Sequence, residues 1–348
     1  MVEKKYIIHQ GQTLLEALNQ INDLREGVLV LFVVDEGDRM VGTLTDGDSR
    51  RALIAGASVC DPVVKIMHRD FRALTDGVDY DVRHLHELHQ NLMHLIPVLD
   101  KDRHIIDIID LERYKTKLPI DAVIMAGGKG ERLRPLTEIT PKPLLKVGDK
   151  CIIDYNVDNL INCGVEHISV TVNYLKEQLE EHYQQARDGI MVETVREPKF
   201  LGTMGAIQFV PRFYHDTILL MNSDLFTNID FEDFYLHFEE HQADMSAAAI
   251  PYSVSVPYGI FDIQDQRNIQ GILEKPTYNY YANAGIYLIR REMIAKYLPA
   301  NTFFNATDFM EKLIAEGRKV IRFPLSGYWI DIGNKQEYQK AQDLVKHL

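Results

Sequence analysis

The chain has 348 residues, room for about two domains of ordinary size. Its 46% hydrophobic and 26% charged residues suit a globular protein with a packed core and exclude a fibrous or disordered one. A net charge of −13, with no long basic face to offset it, argues against a nucleic-acid duplex as partner. No apolar run approaches the ~18 residues that a membrane span needs, and the opening "MVEKKYIIH" is too short and too charged for a signal peptide. A cytoplasmic protein without a membrane partner is expected. Cys60, Cys151 and Cys163 form no CxxC pair, so neither a zinc site nor a disulfide framework is indicated.

The first ~117 residues contain an internal repeat. "VVDEGDRMVGTLTD" (Val33–Asp46) and "VLDKDRHIIDIIDL" (Val98–Leu111) align without gaps at an offset of 65. Each is an apolar pair, an acidic turn and a second apolar run, the pattern of a two-stranded ribbon. A helical pattern precedes each, Thr13–Leu24 and Tyr80–Asn91, and a helix Asp48–Ala55 follows the first. His84, His86, His89 and His94 crowd the second copy. No second pair at ligand spacing accompanies them, so they read as a solvated helix face.

Ribbon followed by "DGDSRRAL" resembles a CBS module, and two in tandem resemble a CBS pair over residues 1–118, an α+β module. The resemblance implies an adenosine-type nucleotide with its ribose on Thr45 and Asp46, assisted by Arg50 and Arg51. The second copy has Asp107, Asp110 and Leu111 where the first has Gly42, Thr45 and Asp46, so it implies one site at most. The alternative is a platform for dimerisation, and a homo-oligomer is expected.

A short polar link, Thr116–Pro119, leads to residues 119–348. An apolar run, Ala122–Met125, reads as a buried strand and runs into "MAGGKGERLRPLTEITPKPLLK". Gly127, Gly128 and Gly130 leave the backbone bare where the strand ends, so amide N–H groups can approach a phosphate or base. Lys129, Arg132, Arg134, Lys142 and Lys146 against Glu131 and Glu138 give a local +3 in an acidic protein. Anionic ligands are the simplest reason. Leu133 breaks a dinucleotide-binding fingerprint, and Lys129-Gly130 breaks a Walker A loop.

Beyond the loop, strands and helices alternate. We expect helix Asp154–Cys163 ended by Gly164, strand His167–Val172, helix Leu175–Gln184 and strands Ile190–Val195 and Thr217–Met221. Strands Gly259–Asp265, Ile269–Leu273 and Ala284–Ile289 follow. A helix Asp308–Glu316 starts from Thr307 as N-cap, and a helix Lys335–His347 closes the chain. The order is that of an α/β domain with a mostly parallel sheet and its ligands at the strands' carboxyl ends.

Gly127, Gly128, Gly130, Arg132, Leu133, Pro135, Leu136, Thr137, Pro141, Lys142 and Pro143 together resemble the signature of sugar-1-phosphate nucleotidyltransferases. The resemblance implies a Rossmann-like, GT-A-like fold and joining of a sugar-1-phosphate to the α-phosphate of an NTP, with pyrophosphate expelled. It implies Mg²⁺ on Asp224 of "LLMNSD" and Asp331 of "YWIDIGN", although Ser223 stands where the family more often has glycine. Arg132 falls on the residue for the β- and γ-phosphates and Lys142 on the lysine near the α-phosphate. Gly259, Glu274, Lys275 and Asn283 fall on sugar and sugar-phosphate positions. In "REPKFLGTMGAI" Glu197 occupies the base-reading position, with Gly202 and Thr203 beyond it. A carboxylate accepts from the two adjacent donors of guanine, which favours GTP. The sequence is similar to glucosamine-1-phosphate guanylyltransferases of legionaminic-acid synthesis and to mannose-1-phosphate guanylyltransferases, which make GDP-sugars. The alternatives are a thymidylyl- or uridylyltransferase of the same fold, or a catalytically silent nucleotide-sensing paralogue.

Overall fold

The structure is a computed structural model that describes residues 4–24, 28–78, 82–90, 94–111, 117–265 and 267–347. The chain divides into two compact units, Met1–Thr116 and Lys117–Leu348. Thr116, the first residue of the expected link, lies outside the described residues.

The sequence repeat of the first unit is also a structural one. In the first half β1 (Ile7–His9) precedes α1 (Leu14–Asp23), the hairpin β2 (Val30–Val34) and β3 (Met40–Thr45), and α2 (Asp46–Ile54). The second half repeats strand, helix and hairpin as β4 (Leu74–Thr75), α3 (Val82–Gln90), β5 (Leu95–Leu99) and β6 (Ile105–Asp110). The sheets run β1-β2-β3 and β4-β5-β6, each with a parallel pair and then an antiparallel one. Thr13 and Glu16 form a capping box on α1, whose Leu14, Ala17 and Ile21 are buried along one face. The helix after the first ribbon starts at Asp46, two residues earlier than expected. Thr45 and Asp48 close a capping box there, and that reciprocal pair fixes the start. Tyr80 and Asn91, at the ends of the expected second helix, lie outside the described residues, as does the side chain of His89.

The second unit is built on a seven-stranded sheet of order β11-β10-β7-β12-β17-β14-β18. In chain order come β7 (Ile120–Met125), a two-residue hairpin β8 (Lys146–Val147) and β9 (Lys150–Cys151), then α4 (Ile152–Asn162) and β10 (His167–Val172). α5 (Lys176–His182), β11 (Val192–Arg196), the short α6 (Gly202–Gly205), β12 (Thr217–Asn222), β13 (Leu225–Thr227) and α7 (Phe231–Glu240) follow. The remainder is β14 (Met245–Ser255), β15 (Ile260–Asp265), β16 (Asn268–Leu273), β17 (Thr277–Arg290), α8 (Arg291–Tyr297), α9 (Ala306–Ala315), β18 (Val320–Pro324), β19 (Trp329–Asp331) and α10 (Lys335–Val345). In the large sheet only β17 runs against its neighbours, so the sheet is mostly parallel as expected. Val123, Ile218, Leu220, Met245 and Ile289 bury one face of it with Phe309 and Leu313 of α9.

Several boundaries differ from the expected ones. Helix α4 begins at Ile152, and Gly164 follows it with φ +72°, the left-handed conformation expected of a helix end. α9 is capped by Asn305 instead of Thr307, because Asn305 and Asp308 bond each other's backbone. The expected strand Ala284–Ile289 is only the inner part of the 14-residue β17. No helix among the described residues is long and apolar enough to cross a membrane.

Candidate active site

The parallel strands β11, β10, β7 and β12 end side by side, and the residue just past each end lines one cleft. β7 runs into Ala126 and Gly127, with the Ala126 N–H donating to Thr171 O at 3.0 Å. Past β10 stands Asn173, past β11 Glu197, and β12 ends on Asn222 before Ser223 and Asp224. The Ser223 N–H reaches Met125 O at 3.2 Å and the Glu197 N–H reaches Val172 O at 2.9 Å, locking these ends together. They open on a cleft of about 750 Å³. Gly127, Gly128, Gly130, Arg132, Lys142, Glu197, Gly202, Thr203 and Asp224 all line it.

Two glycines allow close approaches here. A Cβ on Gly127 would lie 2.7 Å from Glu197 Oε1, so the bare backbone is what lets the carboxyl sit against the loop. Gly130 has φ +62°, and a Cβ on it would lie 3.0 Å from the Thr137 methyl. Thr137 Oγ1 donates to Gly130 O at 2.8 Å, which pins the turn. Glu197 is 6% exposed, and its Oε2 has no hydrogen-bond partner. Burial pushes its carboxyl above the usual range.

Lys142 lies in a tight turn between Pro141 and Pro143 and is buried, with Nζ paired to Asp224 Oδ2. Asp331 ends β19, which pairs antiparallel with β13 so that Leu225 faces Asp331 in register. The Ile332 N–H donates to Asp224 O at 3.0 Å, which holds the two acids at one corner of the unit. Asp331 does not itself line the cleft; Gly333, two residues on, does, and a Cβ on it would lie 3.2 Å from Arg132 Nη2. One oxygen of each acid, Asp224 Oδ1 and Asp331 Oδ1, is buried without a hydrogen-bond partner. Burial and the nearby Asp224 push the Asp331 carboxyl upward, against the opposing charges of Lys142 and Arg132. Orphaned oxygens on two adjacent acids fit a hard divalent cation, which takes oxygen ligands and offsets their repulsion.

The expected sugar residues lie outside the lining of this cleft. Gly259 and Glu274 are neighbours: a Cβ on Gly259 would lie 3.0 Å from Glu274 Oε2. Lys275 is exposed and holds φ +46°, an uncommon conformation for a side-chain-bearing residue. Asn283 donates to Tyr287 Oη at 2.8 Å and accepts from the Gly285 N–H at 3.0 Å. Gly285 in turn packs on Asn222, an atom of which would lie 2.5 Å from a Cβ there, and so links Asn283 to the cleft wall.

Asn173, Asn222 and Phe200 are among the lining residues that were missed. Asn173 Nδ2 donates to Glu197 O at 2.9 Å, and Asn222 closes the strand beside Asp224. Phe200 is half-exposed in the lining, 5.9 Å from Phe303. A polar residue directly after an apolar strand, as in "LLMN", is the signal that could have found Asn222. In the first unit Thr45 caps α2, and Asp46 pairs with Arg50 four residues on. A shallow cavity of about 530 Å³ there is lined by Asp48, Arg51, Asp61 and Lys65 but not by Thr45 or Asp46.

Among known proteins the chain is similar to the mannose-1-phosphate guanylyltransferase catalytic subunit beta of Danio rerio. They are 29% identical over 62% of this chain and 62% of that protein. The glucose-1-phosphate adenylyltransferase of Clostridium perfringens strain SM101 is 28% identical over 67% of each chain. Thus the chain spans 62% of the length of the Danio rerio relative. The crystal structure of HddC from Yersinia pseudotuberculosis complexed with GMP-PN superposes with a TM-score of 0.50 at 25% identity. That match covers 65% of this chain and 99% of HddC. A nucleotidyl transferase domain matches residues 121–347, the whole sheet and every strand end described above, and the chain belongs to the nucleotidyl transferase family.

Proposed function

We propose that the second unit is a sugar-1-phosphate guanylyltransferase: it moves GMP from GTP to a sugar-1-phosphate, glucosamine-1-phosphate or mannose-1-phosphate, and releases pyrophosphate. The observation that carries this reading is Glu197, a buried carboxyl with an unpartnered oxygen in the lining of the cleft. As a carboxylate it offers two acceptors, the complement of guanine N1–H and the 2-amino group. The guanylyl relative in Danio rerio and HddC complexed with GMP-PN support the choice of base.

The rest of the chemistry is alignment of two polyanions. The amides of Gly127, Gly128 and Gly130 receive the nucleotide, Arg132 holds the β- and γ-phosphates, and Lys142 meets charge developing on the α-phosphate. Glu274 accepts from sugar hydroxyls, and Lys275 holds the sugar phosphate, whose oxygen displaces pyrophosphate. Asp224 and Asp331 are the residues that would hold Mg²⁺, which when bound neutralises phosphate charge. In the first unit an adenosine-type nucleotide on Thr45 and Asp46 would make the CBS-like pair a regulator.

Burial of Glu197 favours one competing reading. A protonated carboxyl donates once and accepts once, as glutamine does, and that pattern suits thymine or uracil. Pyrophosphate release from each NTP with several sugar-1-phosphates, from pH 5.5 to 8.5 in the presence of Mg²⁺, separates the two. The guanylyl reading expects GTP to be used best and increasingly well as pH rises through the raised Glu197 value. Glu197→Gln should cut GTP use about 5- to 150-fold, the worth of one two-point base contact of ~1–3 kcal/mol. Unchanged GTP preference in that variant removes Glu197 from base reading, and dTTP or UTP use that peaks at low pH selects the alternative.

A further inference from the structure

The glycine loop orders the cleft from one end to the other. Gly130 packs on Lys142, whose Nζ pairs with Asp224, while Gly127 lies against the Glu197 carboxyl. The first end gathers the charges that suit phosphates. The second has Glu197, with Asn173 bonded to its carbonyl and Phe200 three residues on. Phe200 is the only aromatic side chain in the lining among the described residues. It is 55% exposed, and Phe303, tilted by 56° with its ring centre 5.9 Å away, is 53% exposed. Looseness does not explain this, because the backbone on both sides of Phe200 is bolted to the segment that carries Phe303. The Phe304 N–H donates to Leu201 O at 2.8 Å, and the Met204 and Gly205 N–H groups both donate to Phe304 O at 3.0 Å. Lys199 Nζ reaches Asn301 O at 3.1 Å, and the Ala306 N–H reaches Thr203 Oγ1 at 2.9 Å. Leu201 is buried and Phe304 packs on the core, whereas Phe200 and Phe303, each one residue earlier, stay outside. A rigid loop thus holds about half of a phenyl's ~150–250 Å² in water at the base end of the cleft.

We infer that Phe200 is the stacking platform for the nucleotide's base, and that Phe303 braces its ring. A phenyl ring carries no charge, donor or strong acceptor, so a triphosphate gains nothing from it. It offers a flat π face, and a base is the part of a nucleotide that matches one. The tilted contact with Phe303 is of the edge-to-face kind that aromatic pairs prefer, and it keeps the Phe200 ring from folding back. Stacking and edge reading then divide the work. Glu197 meets the base in its plane and decides which base is taken. Phe200 meets it from above the plane and sets how tightly any base is held, since every base has a π face. This inference rests on the nucleotide reading of the cleft, but not on the choice of guanine.

The test is calorimetric titration of the full chain, without acceptor sugar, with GTP, the other NTPs and inorganic triphosphate as a probe that has no base. Phe200→Ala should weaken GTP about 5- to 150-fold, the worth of one base–aromatic stack. Every other NTP that the wild type binds should weaken by a similar factor, and inorganic triphosphate should be unmoved. Phe200→Tyr keeps the π face and should bind as the wild type does, whereas Phe200→Leu, apolar but without that face, should fall with the alanine variant. Phe303→Ala should show a smaller loss in the same direction. GTP affinity within twofold of wild type in Phe200→Ala or Phe200→Leu overturns the stacking role. So does an equal loss of inorganic triphosphate, which would mean that the loop shapes the whole cleft. Wild-type affinity in Phe303→Ala overturns the brace alone. A wild type that prefers another NTP overturns the choice of guanine, and the same ratios measured with that NTP then decide for or against Phe200. A wild type that binds no NTP more tightly than inorganic triphosphate overturns the inference outright.

Discussion

Asp224 and Asp331 show what single residues contribute and at what cost. Each keeps a buried carboxylate oxygen that nothing in the described structure satisfies, and the two negative charges stand close enough to raise the Asp331 carboxyl. Natural folds keep such groups for a ligand. Without divalent cation, Asp331→Asn should therefore melt at a higher temperature than the wild type, because a neutral amide removes the repulsion. Added Mg²⁺ should raise the wild-type melting temperature and leave the variant's unmoved. Turnover should fall about a hundredfold or more with several kcal/mol of charge stabilisation lost. A full Mg²⁺ shift in the variant would remove Asp331 from the metal. Asp224 was legible in the sequence as an acid straight after an apolar strand, and Asp331 as an acid in an apolar setting. Their pairing came only through the family resemblance, because in the residues alone it depends on β13 and β19 meeting across about a hundred residues. Gly202 teaches the converse. It was read as a nucleotide contact and does line the cleft, yet its φ of +78° and the Phe304 carbonyl 2.7 Å from a would-be Cβ require glycine for backbone reasons alone.

At the scale of elements, α4 and α5 are tied by a charged staple that no motif announces. Asp154 in the first turn of α4 is buried, and its oxygens accept from His182 at 2.9 Å and Tyr183 at 3.1 Å, with Arg187 at 3.0 Å. Cys151 completes a group whose ligand atoms with Asp154 and His182 lie within 4.8 Å of one another, but the carboxylate is already saturated. Burial works against the Asp154 charge, yet the His182 hydrogen bond and the charges of His182 and Arg187 hold its carboxyl below the usual range. A depressed acid stabilises the fold above its unfolded value of ~3.9 and loses that contribution as pH falls through the folded value. Asp154→Asn should cost about 1–2 kcal/mol at pH 7, since it removes the charged acceptor of His182 and Tyr183 while Arg187 keeps Asp158 as partner. The gap to the wild type should close below pH ~4, as urea unfolding from pH 3 to 7 would show. A gap independent of pH would mean that the carboxylate's charge plays no part. Elements with a strong period, such as β10, were legible to the residue. β14 was not, because "MSAAAIPYSVS" mixes small residues and a proline, and its strand character comes from its neighbours β17 and β18.

Across the whole molecule, the alternation of strands and helices was enough to anticipate a mostly parallel sheet with its site at the carboxyl ends. What alternation could not show is that β17 runs the other way. That reversal brings the first part of β17, with Asn283, to the edge where the parallel strands end. Residues 256–276, which hold β15 and β16, are thus an excursion between two strands that are hydrogen-bonded to each other, and Ser255 and Thr277 at their root lie directly opposite in register. This register predicts that the segment is a detachable module. Residues 256–276 can be replaced by a two-residue Asn-Gly turn, which the spacing of an antiparallel pair accepts. The shortened chain should keep its sheet and its nucleotide cleft. Calorimetric titration should show a GTP analogue binding with unchanged affinity while sugar-1-phosphate binding is lost. If nucleotide binding goes as well, this segment is part of the fold and not an attachment to it. If the module does detach, it is where this scaffold can change its acceptor, by lengthening, trimming or exchanging a loop, without renegotiating the core that reads the nucleotide.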